Sequence, residues 1–104
     1  MIEHRGLVNT TLSCAEIFGV MSDSVFYQST ALGFDAASWV IWMSLTRGAT
    51  LQLAGQENFY QELASSSSVS HIMMTPSMLE GVLPAQVPHV KTVISGGEPC
   101  HDTL

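Results

Sequence analysis

The sequence predicts an α/β fold, a mainly parallel sheet covered by helices. Three observations carry this. Stretches with helical spacing alternate with short β-branched and aromatic stretches along all 104 residues. The segments that join the strands are themselves helical, and helical crossovers make neighbouring strands parallel. No internal repeat and no interdomain linker interrupts the pattern.

The elements follow in order. Gly6 to Val20 reads as a helix with Val8, Leu12, Ala15 and Phe18 on its inner face. Asp23-Ser24 breaks it. Val25-Phe26-Tyr27 begins a short strand that ends near Ser29, and Gly33 marks a loop. Ala36 to Thr46 is the next helix, with Asp35 at its cap position. It is apolar nearly all round, through Trp39, Val40, Ile41, Trp42, Met43 and Leu45, so burial on most sides is expected. Arg47-Gly48 closes it. Ala49 to Leu53 alternates as a strand. Gln56 to Ser66 is an amphipathic helix with Phe59, Tyr60 and Leu63 inside, ended by a solvated serine turn at Ser65-Ser68. Ser70 to Met74 is a strand. Thr75 caps and Pro76 starts a helix that runs through Val82 and Leu83 and stops before Pro84. Pro84 to His89 is a loop and Lys91 to Ser95 a strand. Gly96-Gly97 then turns the chain toward a last helix starting near Pro99.

Composition restricts the partners. Hydrophobic residues are 46% and charged residues 12%, against about 25% charged in an ordinary domain. A short chain with so few charges is expected to bury part of its surface. Either the rest of a larger protein or another copy would cover it. The net charge is −6, and the bases Arg5, Arg47 and Lys91 are scattered. No nucleic acid and no anionic membrane surface is expected as a partner. The longest apolar run, Ala36 to Leu45, is too short to span a bilayer. The N-terminus lacks a basic-then-apolar signal pattern. Cys14 and Cys100 read as reduced thiols, which fits a cytoplasmic protein.

In parallel sheets ligands bind beyond the carboxyl ends of the strands. Asp35, Thr75 and Gly96 all follow strands and are expected to gather at one rim. Positions i, i+1 and i+4 of a helical turn share a side, so Asp35, Ala36 and Trp39 form one wall. That is an acid at one end of an apolar slot, suited to a cationic group at the acid and a side chain in the slot. The other reading makes Asp35 only a helix cap and Trp39 a core residue. Ile94 and Gly96 face one side of the last strand, and the glycines let backbone approach a flat ligand. A strand-to-helix turn needing positive φ explains the same glycines. His4, His71, His89 and His101 with the two cysteines show no ligand spacing, so no metal site is expected from them. There is no Gly-x-Ser-x-Gly elbow for a hydrolase triad. Met73-Met74 reads by itself as core filler.

In order and spacing, five blocks resemble the middle of an adenylation domain of a nonribosomal peptide synthetase, within the adenylate-forming enzyme superfamily. Met1-Ile2-Glu3-His4-Arg5-Gly6-Leu7-Val8-Asn9 resembles the segment after that family's phosphate loop. Phe34-Asp35-Ala36-Ala37-Ser38-Trp39 resembles its Phe-Asp-x-Ser motif, with Val40 where the family often has Glu. Thr46-Arg47-Gly48-Ala49-Thr50-Leu51, Thr75-Pro76-Ser77-Met78-Leu79 and Ser95-Gly96-Gly97-Glu98 resemble three further blocks.

The resemblance implies roles. Asp35 would pair with a substrate α-amino group. Ala36, Trp39, Met73, Ile94 and Gly96 would line the side-chain pocket, and Phe34 would border the carboxylate. Gly97, Glu98 and Pro99 would lie along adenine. Residues 1–104 would be a central fragment of the large N-terminal part of the domain. The phosphate loop would precede it; a Tyr-Gly-Pro-Thr-Glu block, a ribose-binding acid and a catalytic lysine would follow it. The intact enzyme would use ATP and Mg2+ to make an aminoacyl-AMP from a neutral, apolar or aromatic amino acid. It would pass the acyl group to phosphopantetheine on a peptidyl carrier domain. The fragment alone would be inactive. Two alternatives stay open: a ligase for aryl or fatty acids, and a non-catalytic α/β binding or interaction module.

Overall fold

The structure is a computed structural model describing residues 1–55 and 58–102. Its elements are α1 (His4–Ile17), β1 (Val25–Gln28), α2 (Asp35–Leu45), β2 (Thr50–Leu53), α3 (Phe59–Ser65), β3 (His71–Met74), α4 (Pro76–Leu79) and β4 (Thr92–Ser95). The four strands form one sheet in the order β2-β1-β3-β4. Every pair is parallel, as the helical crossovers require.

The crossover through α2 steps from β1 to one side, and that through α3 steps back over β1 to β3. With right-handed crossovers those helices must lie on opposite faces. The two hydrophobic clusters follow that division. One holds Ala15, Val20, Phe26, Val40, Met43, Ala49 and Ile94, with Phe18, Trp39 and Met73 packed against it. The other holds Tyr27, Leu63, Val69, Ile72 and Met74, with Phe59, Met78 and Leu79 alongside. Phe26 and Tyr27 are neighbours in β1 and serve opposite cores, because side chains alternate along a strand.

The helix ends are set by glycine. Gly19 has φ +64°. Val20 N donates to Ala15 O at 2.9 Å, and Gly19 N donates to Glu16 O at 3.1 Å. This is a Schellman close, with Val20 and Ala15 in contact within one core. Gly48, at φ +69°, repeats it after α2. There Ala49 N donates to Ser44 O at 3.0 Å and Gly48 N to Leu45 O at 3.1 Å. Thr75 caps α4 as its sequence predicts, its Oγ1 accepting from Met78 N at 3.4 Å, with Pro76 in the first turn.

Several expectations are corrected. Val8 and Leu12 point outward, 53% and 46% exposed. The face of α1 turned inward carries Thr11, Cys14, Ala15 and Phe18. The buried stripe is rotated by part of a turn, with the small residues Thr11 and Ala15 fully buried in place of Val8 and Leu12. Helix α2 is apolar all round but buried on one side only. Ala37, Val40, Met43 and Ser44 are inside, while Trp42 and Leu45 are exposed. Asp35 is not the cap of α2. Phe34, at φ −98° and ψ 145°, takes that place, and Asp35 is the first helical residue.

Helix α3 begins at Phe59 behind Asn58, whose Oδ1 accepts from Gln61 N at 3.3 Å. The expected start at Gln56 lies outside the described residues. Helix α4 ends at Leu79, short of Leu83. Gly81 lies so close to the Tyr60 ring that an added Cβ would stand 2.6 Å from it. Tyr60 also donates its hydroxyl to Met78 O at 2.9 Å, fixing the turn there. The expected loop from Pro84 contains a 3₁₀ turn at Pro84–Gln86. No helix starts at Pro99 within residues 99–102, and any continuation at Thr103 lies outside the described residues. Among the described residues no helix is long and apolar enough to cross a membrane.

Candidate functional site

Because all strands run the same way, their carboxyl ends share one edge of the sheet. The strand order places the topological switch between β1 and β3. The loop after β1 ends at Phe34, with Asp35 opening α2; that after β3 carries Thr75, and that after β4 carries Gly96 and Gly97. The expected rim is therefore present in the topology.

The apolar members come together. Met73 and Ile94 are register partners on adjacent strands. Both belong to the α1–α2 face, where Trp39 packs with them. Trp39 is held edge-on by Phe18, with ring centroids 5.7 Å apart at 77°. Its indole Nε1 is enclosed and without a partner among the described residues. Ala36 is half-buried one turn before it. A Cβ added at Gly96 would meet nothing within 4 Å, so open space adjoins that backbone.

Asp35 and Phe34 are exposed, Phe34 by 66%. The Asp35 carboxylate has no hydrogen bond or ion pair to another described residue. An acid in the first turn complements the helix dipole, but no backbone amide is tied to it. Its carboxylate is therefore available to a ligand, which a capping carboxylate is not.

Glu98 is engaged locally. Its Oε2 accepts from Ser77 Oγ at 2.5 Å and from Ser77 N at 3.1 Å, joining the turn after β4 to the start of α4. The hydroxyl bond first, and the amide bond second, hold its carboxyl below the ordinary carboxylate range. Gly97, at φ +89°, lies beside Thr75, to which an added Cβ would come within 3.7 Å. Residues 97–99 are exposed while the Glu98 side chain is turned to α4. A lowered carboxyl keeps this tie complete at neutral pH and releases it as the pH falls through the lowered value. A pH titration by NMR is expected to show the Ser77 amide shifting with Glu98 below the ordinary carboxylate range. Ser77→Ala is expected to move the Glu98 midpoint upward, with the amide bond at position 77 still holding it below the ordinary range.

Sequence reasoning missed three supporting residues. Ser77 holds Glu98 across 21 positions. His71, only 4% exposed, bridges Phe18 O at 3.0 Å through Nε2 and Ser70 Oγ at 2.8 Å through Nδ1. The carbonyl fixes Nε2 as the donor, so Nδ1 accepts from the serine. With both ring nitrogens used, His71 anchors the end of α1 that carries Phe18. Gln28 closes β1 on the same face as Phe26. A polar residue at the end of an apolar strand was the signal for both His71 and Gln28. A groove of about 740 Å³, lined by Ile72, Leu79, Val82, Val87, Val90 and Val93 among others, opens on the opposite face and includes none of the predicted site residues.

The AMP-binding enzyme family model matches residues 1–104. The nonribosomal peptide synthetase vlms of Lecanicillium sp is 34% identical over 101 residues, covering 94% of this chain and 1% of that protein. Malpinin synthetase of Mortierella alpina is 32% identical over 111 residues, covering 100% of this chain and 1% of its own length. The chain thus spans about 1% of the length of these curated relatives. Among solved structures, ATP-bound MatB from Rhodopseudomonas palustris superposes with a TM-score of 0.82 at 14% identity, over 95% of this chain and 21% of that one. The N-terminal subdomain of Klebsiella oxytoca NpsA gives 0.75 at 21% identity, over 95% of this chain and 28% of that one. At such identities these two speak for the fold alone.

Proposed function

This chain belongs to the AMP-binding enzyme family, and from that premise we propose that it is the central segment of the large N-terminal part of an amino-acid adenylation domain. The supporting observation is Asp35, a carboxylate with no partner among the described residues, beside an apolar wall. An α-ammonium group seated on Asp35 directs the rest of an amino acid along Ala36 and Trp39 toward Met73, Ile94 and Gly96. No second charge lines that wall, so the side chain it suits is neutral, apolar or aromatic.

The carboxylate of the amino acid then attacks the α-phosphorus of ATP. A carboxyl-oxygen–phosphorus bond forms, the bond to the bridging oxygen breaks, and pyrophosphate leaves. The thiol of phosphopantetheine on a peptidyl carrier domain subsequently displaces AMP. What this segment contributes is position. Phe34 borders the reacting carboxylate. The exposed Gly97–Pro99 backbone suits the flat adenine, which needs close approach more than charge. The described residues gather no three His, Cys, Asp or Glu into a metal cluster, and no step here runs through magnesium. The free thiols Cys14 and Cys100 suit a cytoplasmic enzyme.

Amino-acid-dependent exchange of pyrophosphate into ATP tests this on the full-length protein. Apolar or aromatic amino acids are expected to drive exchange, aryl and fatty acids are not, and the 104-residue chain alone is expected to be silent. Exchange driven by aryl or fatty acids, with amino acids inert, contradicts the reading.

A further inference from the structure

We propose that Gln28 is a positioning residue for Asp35, a role that rests on the amino-acid reading above. Gln28 ends β1 at the switch between β1 and β3. Its side chain is 6% exposed, and its Nε2 donates to Thr30 O at 2.7 Å. Its own carbonyl accepts from Ala54 N at 2.9 Å, so the residue is fixed to β2 as well. Residues 31–35 are exposed and have no packing of their own. Among the described residues, the Gln28 bond is the one side-chain hydrogen bond made to the stretch 29–35. From Thr30 the chain turns, with Phe34 N donating to Ala31 O at 3.0 Å, and then enters α2, with Ala37 N donating to Phe34 O at 3.1 Å. The carboxamide therefore anchors the near end of the loop whose far end carries Asp35.

The other end of the same side chain argues against a role in stability alone. Its Oε1 is enclosed and has no partner among the described residues, and the same holds for Ser29 Oγ beside it. An enclosed acceptor left unpaired costs stability. Methionine fills a similar volume without that cost. What methionine cannot do is hold Thr30.

The test is Gln28→Met in the full-length enzyme. The thermal midpoint is expected to stay within a few degrees of the parent. The KM for the amino acid is expected to rise about tenfold, and the KM for ATP to stay unchanged. In an Asp35→Ala background, Gln28→Met is expected to add no further loss, because its effect runs through Asp35. An unchanged amino-acid KM, an equal rise in both KM values, a fully additive double variant, or loss of folding each overturns the proposal. An enzyme that responds to Asp35→Ala but not to Gln28→Met refutes the role of Gln28 alone. Indifference to Asp35→Ala refutes the amino-acid reading itself.

Discussion

Asp35→Ala in the full-length enzyme is expected to lower kcat/KM for the amino acid by about 10²- to 10³-fold, the scale of leaving one member of a desolvated ion pair unmatched. Folding is expected to change little. Asp35 is exposed in the first turn of α2 and bonded to no described residue, so what it gives the fold is a favourable place on the helix dipole. That is worth about 0.3–1 kcal/mol. The contrast separates the two readings. A residue that only served the helix would lower the melting temperature slightly and leave the kinetics alone. Asp35→Asn is expected to resemble the alanine variant in activity, because the amide keeps the size and loses the charge. Steady-state kinetics beside a thermal melt decides it, and unchanged KM and kcat would remove Asp35 from the site.

Gly96→Phe is expected to have the second largest effect. A side chain there meets open space, and the φ of Gly96 lies outside the left-handed region, so the fold accepts it. The ring then occupies the depth that the wall of Ala36, Trp39, Met73 and Ile94 leaves for substrate. Use of large amino acids is expected to fall by about 10²-fold or more, while glycine and alanine keep their activity. The neighbouring Gly97 provides the control. At φ +89° any side chain is strained, at about 1–2 kcal/mol, so Gly97→Ala is expected to cost stability without changing the order of preference. A panel of amino acids assayed with the parent and both variants checks this. An unchanged preference in Gly96→Phe would place the pocket elsewhere.

Much of the fold was legible because it depends on local rules. Parallel pairing follows from helical crossovers, and the end of α2 follows from a glycine placed just past it, whereas α1, expected to run to Val20, ends at Ile17 ahead of the left-handed Gly19. Thr75-Pro76 announces the start of α4. What could not be read depends on contacts distant in sequence. Which face of α1 is buried depends on the elements it docks on, and Thr11 and Cys14 stand inside in place of the larger Val8 and Leu12. The early end of α4 depends on Tyr60 lying over Gly81. The one-residue error at Asp35 matters more than its size suggests. A cap would have used the carboxylate, whereas the first helical position leaves it free. Within the candidate site, spacing leads to the expectation of Asp35, Ala36 and Trp39 on one side of a helical turn and of Ile94 with Gly96 on one side of the last strand. It could not show that Phe18, its carbonyl tied to His71, packs on Trp39, or that Ser77 takes up the Glu98 carboxylate, because those partners come from other elements.

The most direct measurement is a crystal structure of the full-length enzyme with its amino acid bound. The α-nitrogen is expected to lie about 2.7–2.9 Å from an Asp35 carboxylate oxygen, the distance of a charge-assisted bond. A bound amino acid whose nitrogen is held by other groups, with Asp35 facing solvent or its own backbone, would contradict this.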